Sequence, residues 1–158
     1  KKNLKFIFVK KYNKIKKSHT IDDMDFYNNF LDQSEIDYLN LNTYRDHGTF
    51  SSYMGVFQSK VAIGTESTLL REKIGCGQKI LSVDLTNKEI WNFPVEGLCT
   101  LNNCSFSEFE ERLSYILNIN NRDYFNQISK DKSFLMNFDE NNSAINKINS
   151  KINSYLND

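Results

Sequence analysis

The sequence predicts an α/β fold with a mainly parallel sheet and helices on both of its faces. Three observations predict it. Two short apolar runs, Val61-Ala-Ile-Gly64 and Lys79-Ile-Leu-Ser-Val-Asp84, have the length and β-branched content of buried strands. Between them, Ser67 to Ile74 is amphipathic at helical spacing and meets a glycine stop at Gly75 or Gly77. Strand, helix and strand in that order form a right-handed β-α-β unit whose strands lie parallel.

The other elements follow in chain order. Leu4 to Val9 is apolar with β-branched and aromatic residues and reads as a strand. Asp22 to Leu31 places Met24, Phe26, Tyr27, Phe30 and Leu31 near helical spacing, with Thr20 or Asp22 as cap. Ile36 to Leu41 alternates like a second strand, Thr43 to Thr49 is a polar loop, and Phe50 to Gln58 is a short helix. After Asp84, Thr86 to Phe93 is a loop carrying Trp91, and Gly97 to Leu101 is a fifth strand. Ser105 with Glu108 three residues on has capping-box spacing. It opens a helix to about Asn118 with Phe109, Leu113, Ile116 and Leu117 on one face. Asp123 to Met136 reads as a further helix, and Asn142 to Leu156 as an amphipathic terminal one.

Composition bounds the partners. The 158 residues fit a single domain, 1–158, with room for a real core. The chain opens on Lys1 rather than Met and reaches a strand pattern almost at once, so it reads as a fragment of a larger protein. Lysines and arginines balance aspartates and glutamates at net charge zero. The lysine run at the start (Lys1, Lys2, Lys5, Lys10, Lys11, Lys14, Lys16 and Lys17) has no basic–aromatic continuation. It reads as a solvated strand end, and no nucleic-acid partner is expected. Cys76, Cys99 and Cys104 form no CxxC pair, and His19 and His47 stand far apart, so no metal site is expected and a reducing compartment fits. No apolar run approaches membrane-spanning length and no signal peptide is visible, so at most peripheral membrane contact is expected.

The chemistry concentrates at the turn between the first of the two predicting strands and its helix. Gly64, Thr65, Glu66, Ser67 and Thr68 stand where unpaired amides and the helix dipole favour an anion. Two readings fit: phosphate capture, or an ordinary Ser/Thr cap serving the helix's own amides. The turn is neither a P-loop nor a dinucleotide fingerprint, since GK[ST] and GxGxxG are both absent. Glu72 can offer two oxygens to a ribose diol or can be a surface glutamate paired with a cation. Arg71 reads as a solvated helix charge. In the polar loop, Arg45 can bind a phosphate and His47 can act as a base, or both are simply exposed. Ser52 and Tyr53 can line the same cleft or pack. Trp91, Phe93 and Pro94 can cover a base or anchor the core, and Asp84 is a further ligand candidate. No nucleophile-plus-base pair is visible, so no catalytic residue is assigned, and His47 is a candidate only. Cys76 sits at a helix end, where the dipole raises its pKa and keeps it unreactive.

The run Val61-Ala-Ile-Gly-Thr-Glu-Ser-Thr-Leu-Leu-Arg-Glu72, followed by Gly77-Gln-Lys-Ile-Leu81, Phe93-Pro-Val-Glu-Gly97 and Phe106-Ser-Glu-Phe-Glu-Glu-Arg-Leu113, resembles the C-terminal half of bacterial surface-carbohydrate glycosyltransferases of the GT-B fold. The resemblance covers roughly Phe50 to the C-terminus. It implies a Rossmann-like domain that binds a nucleotide-sugar donor, one half of a two-domain architecture whose N-terminal acceptor domain is missing here. It implies that Ser67 and Thr68 contact the donor's phosphates and that Glu72 holds the ribose. It implies a metal-independent transfer with no cofactor, a glycan or lipid-linked acceptor, and a location in the cytoplasm or at the inner face of the membrane. The glycine-rich turn of many relatives is replaced here by Gly-Thr-Glu-Ser-Thr. The alternatives are a nucleotide-sugar epimerase or polyol-phosphate transferase of similar fold, and a non-catalytic flavodoxin-like binding module. No paired acidic residues follow the opening strand, which speaks against a receiver domain.

Overall fold

The structure is a computed structural model that describes residues 5–9, 27–42, 51–128, 148, 150 and 152–154. The chain divides into two compact units, Lys1–Ala62 and Ile63–Asp158.

In the first unit, the strand expected over Leu4 to Val9 is not formed by the described residues, which are irregular apart from a single bridge residue at Phe8. The Phe8 ring stands edge-on to Tyr27, with centroids 5.4 Å apart. Residues Tyr27 to Leu31 turn, with the Leu31 amide bonded to the Tyr27 carbonyl at 2.9 Å. The rest of the helix expected from Asp22 lies outside the described residues. The segment expected as a second strand is instead helix α1, Gln33–Asn42. Its cause is Asp32. The Asp32 carboxylate accepts from the Glu35 amide at 2.9 Å, and the Glu35 carboxylate accepts from the Asp32 amide at 2.9 Å. These reciprocal bonds close the first turn, and a nucleated helix overrides the period-two alternation that begins with Ile36 and Tyr38. The Ser34 hydroxyl also donates to Asp32, and these bonds hold the Asp32 carboxyl below the usual carboxylate range. Helix α2, Ser51–Gln58, forms as expected, with Tyr53 and Phe57 stacked 6.1 Å apart.

The second unit is mixed α/β around a three-stranded parallel sheet in the order β1-β2-β3. The strands are β1 (Ala62–Gly64), β2 (Ile80–Asp84) and β3 (Thr100–Asn102). Ser82, Val83 and Asp84 lie opposite Thr100, Leu101 and Asn102. Helix α3 (Thr68–Gly75) crosses from β1 to β2. Gly77, at φ +74, ends it. The Gly77 amide bonds the Ile74 carbonyl at 3.0 Å and the Gln78 amide bonds the Lys73 carbonyl at 3.1 Å. That bond pair is a Schellman stop, which needs a left-handed residue at Gly77. The expected fifth strand begins later than the sequence suggests. Gly97 makes an isolated antiparallel bridge with Ile128, and regular pairing starts only at Thr100.

Helix α4 (Phe106–Asn118) carries the full capping box, Ser105 with Glu108. Of its apolar face, Leu113 and Ile116 are buried, while Phe109 and Leu117 are half-buried. Removing a side chain such as Ile116 from water contributes roughly 1.5–3 kcal/mol. Lys79 ties the end of this helix to the start of β2, because its ammonium donates to the Ile116 and Ile119 carbonyls at 2.8 and 2.6 Å. A cation suits a helix C-terminus, where unpaired carbonyls carry partial negative charge. Arg112 reaches the other way and donates to the carbonyls of Gly97, Leu98 and Thr100. Helix α5 (Asn121–Asn126) is capped by Asn120. It starts two residues before the expected Asp123, and the expected continuation to Met136 lies outside the described residues beyond Ile128. Of the terminal helix, the described residues 148, 150 and 152–154 are helical.

Lys73 is fully buried in α3, its ammonium donating to the Gln78 side chain at 2.8 Å. Burial pushes its pKa down from 10.5 to about 8. Between those values the unfolded chain holds a proton that the folded chain has lost, so this residue makes stability rise with pH across that window. Lys73→Met is therefore expected to raise stability at pH 7 and to flatten the rise above pH 8. Urea denaturation of both proteins at pH 7, 8, 9 and 10 checks this; parallel curves would refute it.

Candidate functional site

A parallel sheet places the carboxyl ends of its strands on one edge, and in open α/β sheets ligands sit outside that edge. Here the ends are Gly64, Asp84 and Asn102. The loops beyond β2 and β3 are tied together. The Asn103 amide donates to the Asp84 carbonyl at 2.8 Å, and the Asn103 side chain donates to Asn87 at 2.7 Å. Both asparagines have left-handed backbone, φ 56 and 51, which asparagine tolerates better than most residues. Asp84 is buried and its carboxylate accepts the Thr86 amide at 2.8 Å, so it works as a turn former.

Beyond β1 the chain turns through Thr65, Glu66 and Ser67 into α3. Ser67 is the N-cap, with extended backbone at φ −148, and its side chain makes no capping bond. Its carbonyl starts the helix, accepting the Leu70 and Arg71 amides at 3.1 and 3.2 Å. The leading amides of a helix have no intrahelical acceptor, and the Ser67 hydroxyl does not supply one here. Thr65 and Thr68 are exposed, and Gly64 is half-buried. A Cβ built on Gly64 would lie 3.5 Å from Leu70, an ordinary contact.

One turn further on, Arg71 corrects the expectation of a solvated charge. It is ion-paired with Glu66, with 35% and 22% of the two side chains exposed. Its Nε is buried and has no hydrogen-bond partner. Side chains on a helix lean toward its N-terminus, so an arginine here reaches back over the turn before Ser67. Ser67 and Arg71, four residues apart, share one stripe of the helix, and Thr68 and Glu72 share the next. Glu72 is half-buried. Burial, with the Glu72 carboxylate in second place, pushes the Cys76 thiol up, so Cys76 is a weak nucleophile. The arginine escaped sequence reasoning because Glu66 and Arg71 are five apart and span the helix boundary. The Ser67–Arg71 spacing was the available signal.

The structure thus brings Gly64, Thr65, Glu66, Ser67, Thr68 and Glu72 to one corner. Arg45 and His47 lie outside the described residues. Ser52 and Tyr53 belong to α2. The aromatic loop divides: Phe93 is buried core, Pro94 is half-buried and Trp91 is exposed. An open groove of about 910 Å³ lies elsewhere, between α4 and the stretch from Gly97 to Leu101, and none of the residues selected from the sequence lines it. Among the described residues no group of three His, Cys, Asp or Glu side chains is placed to hold a metal, and no helix is long and apolar enough to cross a membrane. Comparison with family models, with curated proteins and with solved structures gives no match to this chain.

Proposed function

We propose that this chain contributes the Rossmann-like, donor-binding half of a metal-independent glycosyltransferase of surface-polysaccharide synthesis. One observation carries the reading. At the carboxyl edge of a parallel sheet, the N-cap serine of α3 leaves its hydroxyl uncommitted beside exposed Thr68, with Glu72 one turn on. In this reading the donor's diphosphate docks on the turn from Gly64 to Thr68, and Glu72 accepts hydrogen bonds from the ribose diol. A sugar then passes to a hydroxyl of a growing glycan. The leaving diphosphate gathers negative charge, and fixed amides and hydroxyls at a helix N-terminus stabilise that charge without rearranging.

A thermal-shift screen against UDP, CDP, CMP, GDP and ADP tests the reading. A nucleotide present at about 100 times its Kd adds roughly 2.7 kcal/mol of apparent stability. One nucleoside diphosphate is expected to raise the midpoint above all others. Glu72→Ala is expected to weaken it by about 10–100-fold, the range for a hydrogen bond to a charged group. No shift with any of the five nucleotides would overturn the proposal.

A further inference from the structure

We infer that the groove between α4 and the stretch from Gly97 to Leu101 binds an uncharged saccharide, with Tyr115 as the platform for a sugar ring and the free edge of Arg112 as donor to its hydroxyls. At about 910 Å³ the groove has the size of a small-molecule site. Two of its side chains are held in place by the fold itself. Arg112 is the first. Its Nη1 donates to the Gly97, Leu98 and Thr100 carbonyls at 3.3, 3.2 and 3.3 Å, which fixes the guanidinium against the edge of the sheet. Nε and Nη2 make no hydrogen bond among the described residues and are open to solvent. No carboxylate closes on them. Glu108, one turn earlier, commits its carboxylate to the Ser105 amide and hydroxyl at 2.7 and 2.8 Å. Tyr115 is the second. The Gln127 amide donates to its phenol at 3.0 Å, and Gln127 is itself tied to the Asp123 carbonyl at 3.3 Å. The ring so pinned stays exposed.

The lining selects the ligand. An aromatic face is apolar and electron-rich, which suits the C–H face of a sugar ring. A guanidinium edge presents two N–H groups in a fixed fork, which suits the oxygens of adjacent hydroxyls. Glu111, one turn before Tyr115 on the same stripe of α4, offers an acceptor to the hydroxyl hydrogens. Glu108 and Glu111 beside a single guanidinium leave no excess of positive charge, which disfavours a polyanion, while Arg112 repels a cation. An uncharged ligand with donors, acceptors and an apolar face remains. If the donor reading holds as well, this saccharide is the acceptor glycan.

Titration calorimetry on the full chain, with no nucleotide present, tests this with maltotriose, cellotriose, chitotriose and mannotriose. A heparin tetrasaccharide is the charged counterpart. At least one neutral trisaccharide is expected to bind, and the heparin fragment is not. Tyr115→Ala is expected to weaken that trisaccharide about tenfold, whereas Tyr115→Phe, which keeps the platform, stays within about threefold. Arg112→Lys keeps the charge but loses the fork, and is expected to weaken it about fivefold or more. Circular dichroism confirms folding, and the Tyr115 pair decides if the lysine variant misfolds. Binding of none of the four trisaccharides overturns the inference. So does binding of the heparin fragment in their place, or wild-type affinity in folded Tyr115→Ala. A chain that binds a trisaccharide but no nucleotide overturns the donor reading alone.

Discussion

Gly97→Ala is expected to lower stability by about 3 kcal/mol or more. Gly97 has φ +109, a region that residues with a Cβ rarely adopt, and holding one there costs about 1–3 kcal/mol. The added Cβ would also stand 2.4 Å from the Gln127 carbonyl oxygen and 2.9 Å from the Ile128 Cα. Both obstacles are backbone and cannot rotate away, so the antiparallel bridge must open, with an overpacking cost of about 1–3 kcal/mol. The 2.9 Å bond from the Leu98 amide to the Gln127 carbonyl would be lost with it. For a chain of this size the melting temperature would fall by about 6–12 °C. A drop of under 2 °C by calorimetry would show that Gly97 does not hold this bridge.

Tyr124→Phe is expected to cost about 2–4 kcal/mol although it removes one oxygen. The phenol is fully buried. It accepts the Ile80 amide at 3.2 Å and donates to the Ile80 carbonyl at 2.8 Å, so one side chain serves both polar groups of a residue with no solvent exposure. Phenylalanine preserves the edge-to-face contact with Phe125, whose centroid lies 5.2 Å away, and isolates the loss of hydrogen bonding. Two buried backbone groups left without these partners carry a penalty of about 1–3 kcal/mol each at most. Burial also pushes the tyrosine pKa well above 10. The folded chain therefore keeps a proton that the unfolded chain sheds above pH 10, and this residue's contribution fades as pH climbs past that point. The phenylalanine variant should lack this alkaline loss. Equal denaturant midpoints for the two proteins at pH 7 would refute the role assigned to Tyr124.

Local signals were legible and long-range ones were not. Ser105 with Glu108 marked a helix start because the two partners sit three residues apart and answer each other through one turn of backbone. Asp32 with Glu35 carried the same spacing, yet the alternation that begins with Ile36 and Tyr38 suggested a strand. A cap decides the first turn, whereas alternation decides only which face of a strand would be buried. The β1-α3-β2 unit was readable from apolar strands around an amphipathic segment and a terminal glycine. The corner residues from Gly64 to Glu72 came with it, because they are contiguous. Arg71 was misjudged since its partner lies across the helix boundary. Tyr124 offered no sequence cue at all, because its partner Ile80 is 44 positions away. Gly97 did offer one: a glycine inside a strand pattern often marks close approach of another backbone.

The chain's single indole belongs to Trp91, which stands 43% exposed in the crossover between β2 and β3 rather than among the buried residues. Its emission is therefore that of a hydrated fluorophore already in the native state. Unfolding followed by that signal would register little while Ile80, Leu81 and Ile116 come apart. Far-ultraviolet dichroism or amide exchange is the faithful reporter of this core, and a blue shift of the indole is reserved for whatever settles against that crossover.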